Sequence, residues 1–150
     1  MTVNKSQSLY RISALVLCHA ATLELTKSQS RGQAIKFLLR ALTLEHSVAL
    51  ATSLIGFIWE FGLDGVGVDY SKAETFYEIA LKQENQVSLL AASRLAFLKM
   101  YGRPGVSIDK TKAEEMKKYI LLHGRDHKST WIEYAAQCGL APGKSLFSHD

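Results

Sequence analysis

Apolar positions recur at helical spacing from early in the chain. Leu9, Ile12, Leu15, Val16, Cys18, Ala20 and Leu23 step by threes and fours, which predicts a helix over about 9–25 that is apolar on most sides. Ala34-x-x-Phe37-x-x-x-Ala41 predicts a second helix over 34–45, and the same periodicity predicts helices over 48–61, 72–82, 87–101 and 112–123. Little of the sequence alternates strictly between apolar and polar, so no strand is predicted and the expected class is all-α. Thr130 to Gly139 fits one more helix, followed by the turn Gly139-Leu-Ala-Pro-Gly143.

The links between these helices repeat. Phe61-Gly-Leu-Asp-Gly-Val-Gly-Val-Asp-Tyr-Ser-Lys-Ala-Glu74 returns forty positions later as Tyr101-Gly-Arg-Pro-Gly-Val-Ser-Ile-Asp-Lys-Thr-Lys-Ala-Glu114. A period of this length is the mark of a repeat architecture. Ala34, Phe37 and Ala41 match Ala73, Phe76 and Ala80 at an offset of 39, which extends the repeat towards the N-terminus.

Local chemistry explains the conserved residue types. Gly62 and Gly102 follow helical segments and suit the left-handed position that closes a last turn. Ser71 and Thr111, each with a Glu three residues on, have the spacing of a capping box, which places a helix start at each. Asp69 and Asp109 hold equivalent repeat positions and are expected to accept amide hydrogen bonds in the loop. Val66, Val68, Val106 and Ile108 are expected to face inward. Each link then joins a helix before it, here called first-type, to a helix after it, second-type.

These residues resemble the Sel-one-like repeat family. Ala51, Ile55-Gly56, Trp59 and Gly62 match the family's first helix, and Gly65-Val66, Asp69, Lys72-Ala73, Phe76-Tyr77 and Ala80-Leu81 match its loop and second helix. The second copy keeps Ala91, Leu95, Gly102, Gly105-Val106, Asp109 and Lys112-Ala113, departs at Ala96, Lys99 and Met116, and both loops are one residue longer than the commonest form. The resemblance implies an α-solenoid of antiparallel helix pairs with a right-handed superhelix. The expected layout is a frayed 1–8, an array over 9–143 and a frayed 144–150. Within the array lie a degenerate repeat 9–45, repeats 48–82 and 87–124, and a partial repeat 128–143.

Composition is consistent with one globular domain: 150 residues, 47% hydrophobic and 21% charged. Cys18 and Cys138 lie far apart and form no metal-binding or disulfide framework. Regular cysteines mark the branch of the resembled family with hydrolase-like activity on penicillins, and this sequence lacks them. No apolar run reaches the roughly 18–20 residues that span a bilayer. Lys5 and Arg11 precede the apolar core Ile12 to Cys18, which has the look of a secretory signal, but His19 interrupts it. A first amphipathic helix is the adopted reading, with the cytoplasm favoured and the secretory pathway the alternative.

Candidate chemistry is sparse. Gly139-x-x-x-Gly143-Lys-Ser145 is one residue short of a phosphate-binding loop, and Gly62-x-x-Gly65-x-Gly67 reverses the dinucleotide spacing. His123 and His127 are four apart, but Gly124 is expected to end the helix between them. No catalytic residue, cofactor or metal is expected. Phe57, Trp59, Phe61, Phe76, Tyr77, Phe97 and Tyr101 form a helically spaced aromatic series expected to lie mostly between repeats.

Charge is uneven. From Arg94 to Lys128 there are nine Lys/Arg against four Asp/Glu, while the whole chain carries a net +4. Such a segment suits an acidic partner peptide, a phosphorylated tail or an anionic lipid surface, and also a solvated face, because Glu114 and Lys118 are spaced to pair within one helix. The resemblance implies a non-catalytic adaptor that holds a peptide or partner domain on its concave side. Its alternatives are a hydrolase of the cysteine-rich type and an activator of a membrane-bound enzyme complex. Ser53, Glu60, Arg94 and Lys99, polar members of the first-type helices, are the expected contacts. Nucleic acid is not expected.

Overall fold

A computed structural model describes residues 5–27, 33–44, 48–83 and 86–123. The described residues form six helices and no strand: α1 (Lys5–Lys27), α2 (Gln33–Leu44), α3 (Ala49–Phe61), α4 (Tyr70–Leu81), α5 (Leu89–Tyr101) and α6 (Lys110–His123). The expected partial repeat over 128–143, the tail 144–150, His127 and Cys138 lie outside the described residues. Residues 5–8, expected to fray with the N-terminus, are the first turns of α1.

The helices pack as neighbouring pairs, α1 with α2, α3 with α4, and α5 with α6, and α2–α3 and α4–α5 contacts join pair to pair. Alanine sets the closeness of each pair. Ala34, Ala73 and Ala113 hold equivalent places on the second-type helices and are fully buried, as are Ala41 and Ala80. Small side chains at such contacts let helix axes approach within the usual 8–10 Å. One core cluster joins α1, α2 and α3 through Cys18, Leu38, Leu54 and Phe57. A second joins α4, α5 and α6 through Tyr77, Leu95, Leu98 and Met116.

The repeated link is repeated in three dimensions. Gly62 N–H donates to Ile58 O and Gly102 N–H to Leu98 O, at φ 64° and 72° respectively. Val66 N–H reaches Leu63 O at 3.1 Å, and Val106 N–H reaches Arg103 O at 2.8 Å. Asp69 N–H returns to Trp59 O at 2.9 Å, and Asp109 N–H to Lys99 O at 2.8 Å. Each link thus folds back on the helix it leaves. Glycine is required at its start twice over: the φ is left-handed, and an added Cβ would stand 2.9 Å from Val68 Cγ2 at Gly62 and 3.0 Å from Ile108 Cγ1 at Gly102.

Two local expectations are corrected. The second-type helices begin at Tyr70 and Lys110, so Ser71 and Thr111 lie inside them and cannot be their caps. Asp69 and Asp109 cap instead, accepting from Lys72 N–H at 3.0 Å and Lys112 N–H at 3.1 Å. Val106 is buried and Val66 half-buried, but Val68 and Ile108 are 53% and 58% exposed. They lie over the glycines at the surface of the link rather than in the core.

Candidate protein-interaction surface

Three of the four polar residues expected at a partner surface are inside the molecule. Glu60 near the end of α3 and Arg94 in the middle of α5 form a buried ion pair, their side chains 2% and 4% exposed. Arg94 Nε donates to Glu60 Oε1 at 3.0 Å and Oε2 at 3.2 Å, and its Nη2 also contacts Oε2. Tyr77 on α4 donates its hydroxyl to Glu60 Oε1 at 2.7 Å. One carboxylate therefore ties three helices together.

The network shifts its own proton affinities. Burial works against the charge of Arg94, but the hydrogen bonds and attraction of Glu60 outweigh it and hold the guanidinium above its ordinary value. Burial, aided by the Glu60 charge, pushes the Tyr77 phenol well above its ordinary value. Arg94 also lies 4.7 Å from the Phe97 ring centroid and 5.1 Å from that of Phe61. Both rings are thus within cation–π range of its positive charge.

Ser53 is fully buried on α3, donating to Ala49 O at 2.7 Å and touching Ser88 Oγ. Ser88 caps α5 by accepting from Ala91 N–H at 3.1 Å, so the Ser53–Ser88 contact joins the starts of two first-type helices. Lys99 is half-buried with its Nζ 2.6 Å from Glu74 Oε2; that oxygen receives no aligned hydrogen bond, so the contact is ionic. These four side chains hold helices together and offer a partner little surface.

The exposed charge lies elsewhere. Lys112 pairs with Glu115 at 3.8 Å and Lys117 with Glu114 at 3.2 Å, the latter in place of the expected Glu114–Lys118 pair. Lys72 and Arg103 behave differently: among the described residues neither meets a carboxylate. Lys72 Nζ stands 4.3 Å from the Trp59 ring centroid, and the Arg103 guanidinium is 5.2 Å from Phe97 and 6.0 Å from Tyr70. The second link meets the first turn of α4, since a Cβ on Gly105 would lie 3.6 Å from Ser71 Cβ. Aromatic faces steady these cations without neutralising them.

Other chemistry is muted in the described residues. Cys18 is buried, and burial raises its thiol to about 11, so no thiolate forms there at neutral pH. His123 is exposed at the end of α6 against the Tyr119 ring, 4.5 Å between centroids. No described group of three His, Cys, Asp or Glu could hold a metal, and no described helix is long and apolar enough to cross a membrane.

Sequence reading passed over Lys72 and Arg103 because it took charge by segment and not by neighbour. It also missed a sign that Arg94 is buried. Arg94 occupies the repeat position of Leu54, and Glu60 that of Met100, so each charge stands in a column that is apolar in the other copy. No protein-family model matches the chain, and no curated protein matches it.

Proposed function

We propose that the chain is a non-catalytic interaction module, an α-solenoid of antiparallel helix pairs of the Sel-one-like kind, that docks an acidic peptide or acidic segment of a partner protein. The contact face is where the second link meets the start of α4, with Lys72 and Arg103 as the charges and Trp59 and Tyr70 as their aromatic supports. The observation that carries this reading is that these two cations, in no ion pair among the described residues, each rest on an aromatic ring, while Arg94, Lys99, Lys112 and Lys117 are paired with carboxylates. An acidic ligand would find charge already positioned and little to displace. The joint's twofold use also favours a scaffold: a geometry built twice serves architecture, whereas an active site is needed once.

The test is titration with an oligo-glutamate peptide at low and moderate salt. The parent should bind and lose affinity as salt shortens the Debye length below about 10 Å. Lys72→Glu with Arg103→Glu should weaken binding by roughly tenfold, from two reversed surface charges, one exposed and one half-buried, worth up to about 1 kcal/mol each. Lys36→Glu with Arg40→Glu on α2 changes the net charge equally and should leave affinity near the parent's. Equal loss in both double variants would reduce the effect to net charge and overturn the assigned face.

A further inference from the structure

The first helix carries a second surface that the acidic-ligand reading does not use. On its inward side Ala14, Cys18 and Ala21 are fully buried and Leu25 nearly so. On the other side Leu9, Ile12, Val16 and Leu23 are 63%, 58%, 63% and 44% exposed. With exposed His19 these positions step 3, 4, 3, 4 along the helix, which is the a/d register of a heptad. A helix thus packed by its small residues presents its larger apolar residues outward as a ready coiled-coil seam.

The rim of this seam decides what fits it. Over its middle, Ser13, Leu15, Ala20 and Thr22 flank it and carry no charge, while Lys5 and Lys27 stand at the two ends of α1. Along that middle an acidic or basic partner finds nothing to pair with, and a bilayer surface finds no basic rim. Over the same stretch a second copy of this face meets no like charge. Leu9, Ile12, Leu15, Val16, His19 and Leu23 together offer on the order of 500 Å² per copy, so a symmetric pair buries about 1,000 Å², the lower bound for a specific interface.

We propose that α1 is a self-association seam through which two copies of this chain pair, α1 against α1, in a twofold symmetric and self-complementary contact. Leu9, Ile12, Val16 and Leu23 supply the knobs. His19 sits at a d position, where a polar group trades stability for register. The pair is therefore weak, and replacing His19 by leucine strengthens it.

The test is sedimentation velocity of the full chain across a concentration series, with circular dichroism and a melting curve on every variant. The parent should be a concentration-dependent dimer. Val16→Asp should weaken association at least tenfold with helix content kept, and Val16→Ser, which adds no charge, should weaken it less. His19→Leu should tighten it severalfold, an effect that mere damage to the fold would not produce. Leu39→Asp, at an exposed apolar site on α2, should associate like the parent. A parent that stays monomeric throughout overturns the proposal, as does a dimer indifferent to Val16→Asp. Val16-dependent co-sedimentation of a monomeric parent with phosphatidylglycerol vesicles would instead make a membrane surface the occupant and also overturn it. Lys72→Glu with Arg103→Glu should not alter the oligomeric state, so failure of the acidic-ligand reading and failure of the seam are read separately.

Discussion

Arg94 and Glu60, thirty-four residues apart, close a buried ion pair that clamps α5 to α3, with the Tyr77 hydroxyl from α4 completing it. Taking two charges out of water carries a large desolvation penalty, so their value lies in mutual satisfaction rather than in net stabilisation.

The energetic consequence is asymmetric. Arg94→Met alone leaves the Glu60 carboxylate buried without its cation and should destabilise the chain by about 3–5 kcal/mol. Glu60→Leu combined with Arg94→Met removes both charges and should recover most of that loss. Denaturant titration of the two single variants and the double variant gives the cycle. A double variant as unstable as the sum of the singles would show that the pair is not coupled as the geometry requires.

Tyr77 makes stability depend on alkaline pH. Its folded pKa is raised above the unfolded value near 10, so its contribution is fully present below pH 10 and is lost as pH rises through the folded value. Tyr77→Phe removes the 2.7 Å hydrogen bond to Glu60 and should cost about 1–3 kcal/mol at pH 7. The same variant should flatten the decline of stability above pH 10. Melting curves from pH 7 to about 11 measure both effects. An unchanged alkaline slope would mean that another group controls it.

Gly56 is the space into which the Tyr77 ring fits. A Cβ there would meet Tyr77 Cε1 at 2.8 Å, Cδ1 at 2.9 Å and Ala73 O at 3.2 Å, and the ring, being fully buried, has little room to yield. Gly56→Ala should therefore destabilise by about 1–3 kcal/mol despite alanine's better helix propensity. Gly67→Ala is the matched control, since a Cβ there meets nothing within 4 Å. Comparable melting temperatures for the two variants would contradict the close α3–α4 contact.

What the sequence by itself determined is what neighbouring residues control. Helical periodicity places six helices with ends within a few residues of those observed, apart from the earlier start of α1, because the apolar spacing of 3.6 is a property of each segment alone. The repeated Gly62 and Gly102 announce the helix stops for the same reason: a left-handed turn needs glycine wherever it occurs. The Asp69 and Asp109 amide contacts are legible too, spanning only three residues. Even there two chemically reasonable caps competed, and the start of the helices at Tyr70 and Lys110, one residue before Ser71 and Thr111, gave the role to aspartate.

Tertiary structure decided everything that depends on which face meets which helix. Polarity sent Ser53, Glu60 and Arg94 to the expected surface, yet their partners Ser88, Tyr77 and each other arrive from separate helices, and mutual hydrogen bonding made burial tolerable. On α1 apolar residues lie on both sides, so periodicity could not choose the inward one. Packing chose the small side, Ala14, Cys18 and Ala21, because it lets α1 approach α2 closely, and thereby turned Leu9, Ile12 and Val16 outward. Likewise the net positive charge of the segment from Arg94 was visible in the sequence, but only the structure showed that Arg94, Lys99, Lys112 and Lys117 are neutralised while Arg103, and Lys72 outside the segment, rest on rings, since a charge's availability is fixed by what lies within a few ångströms of it.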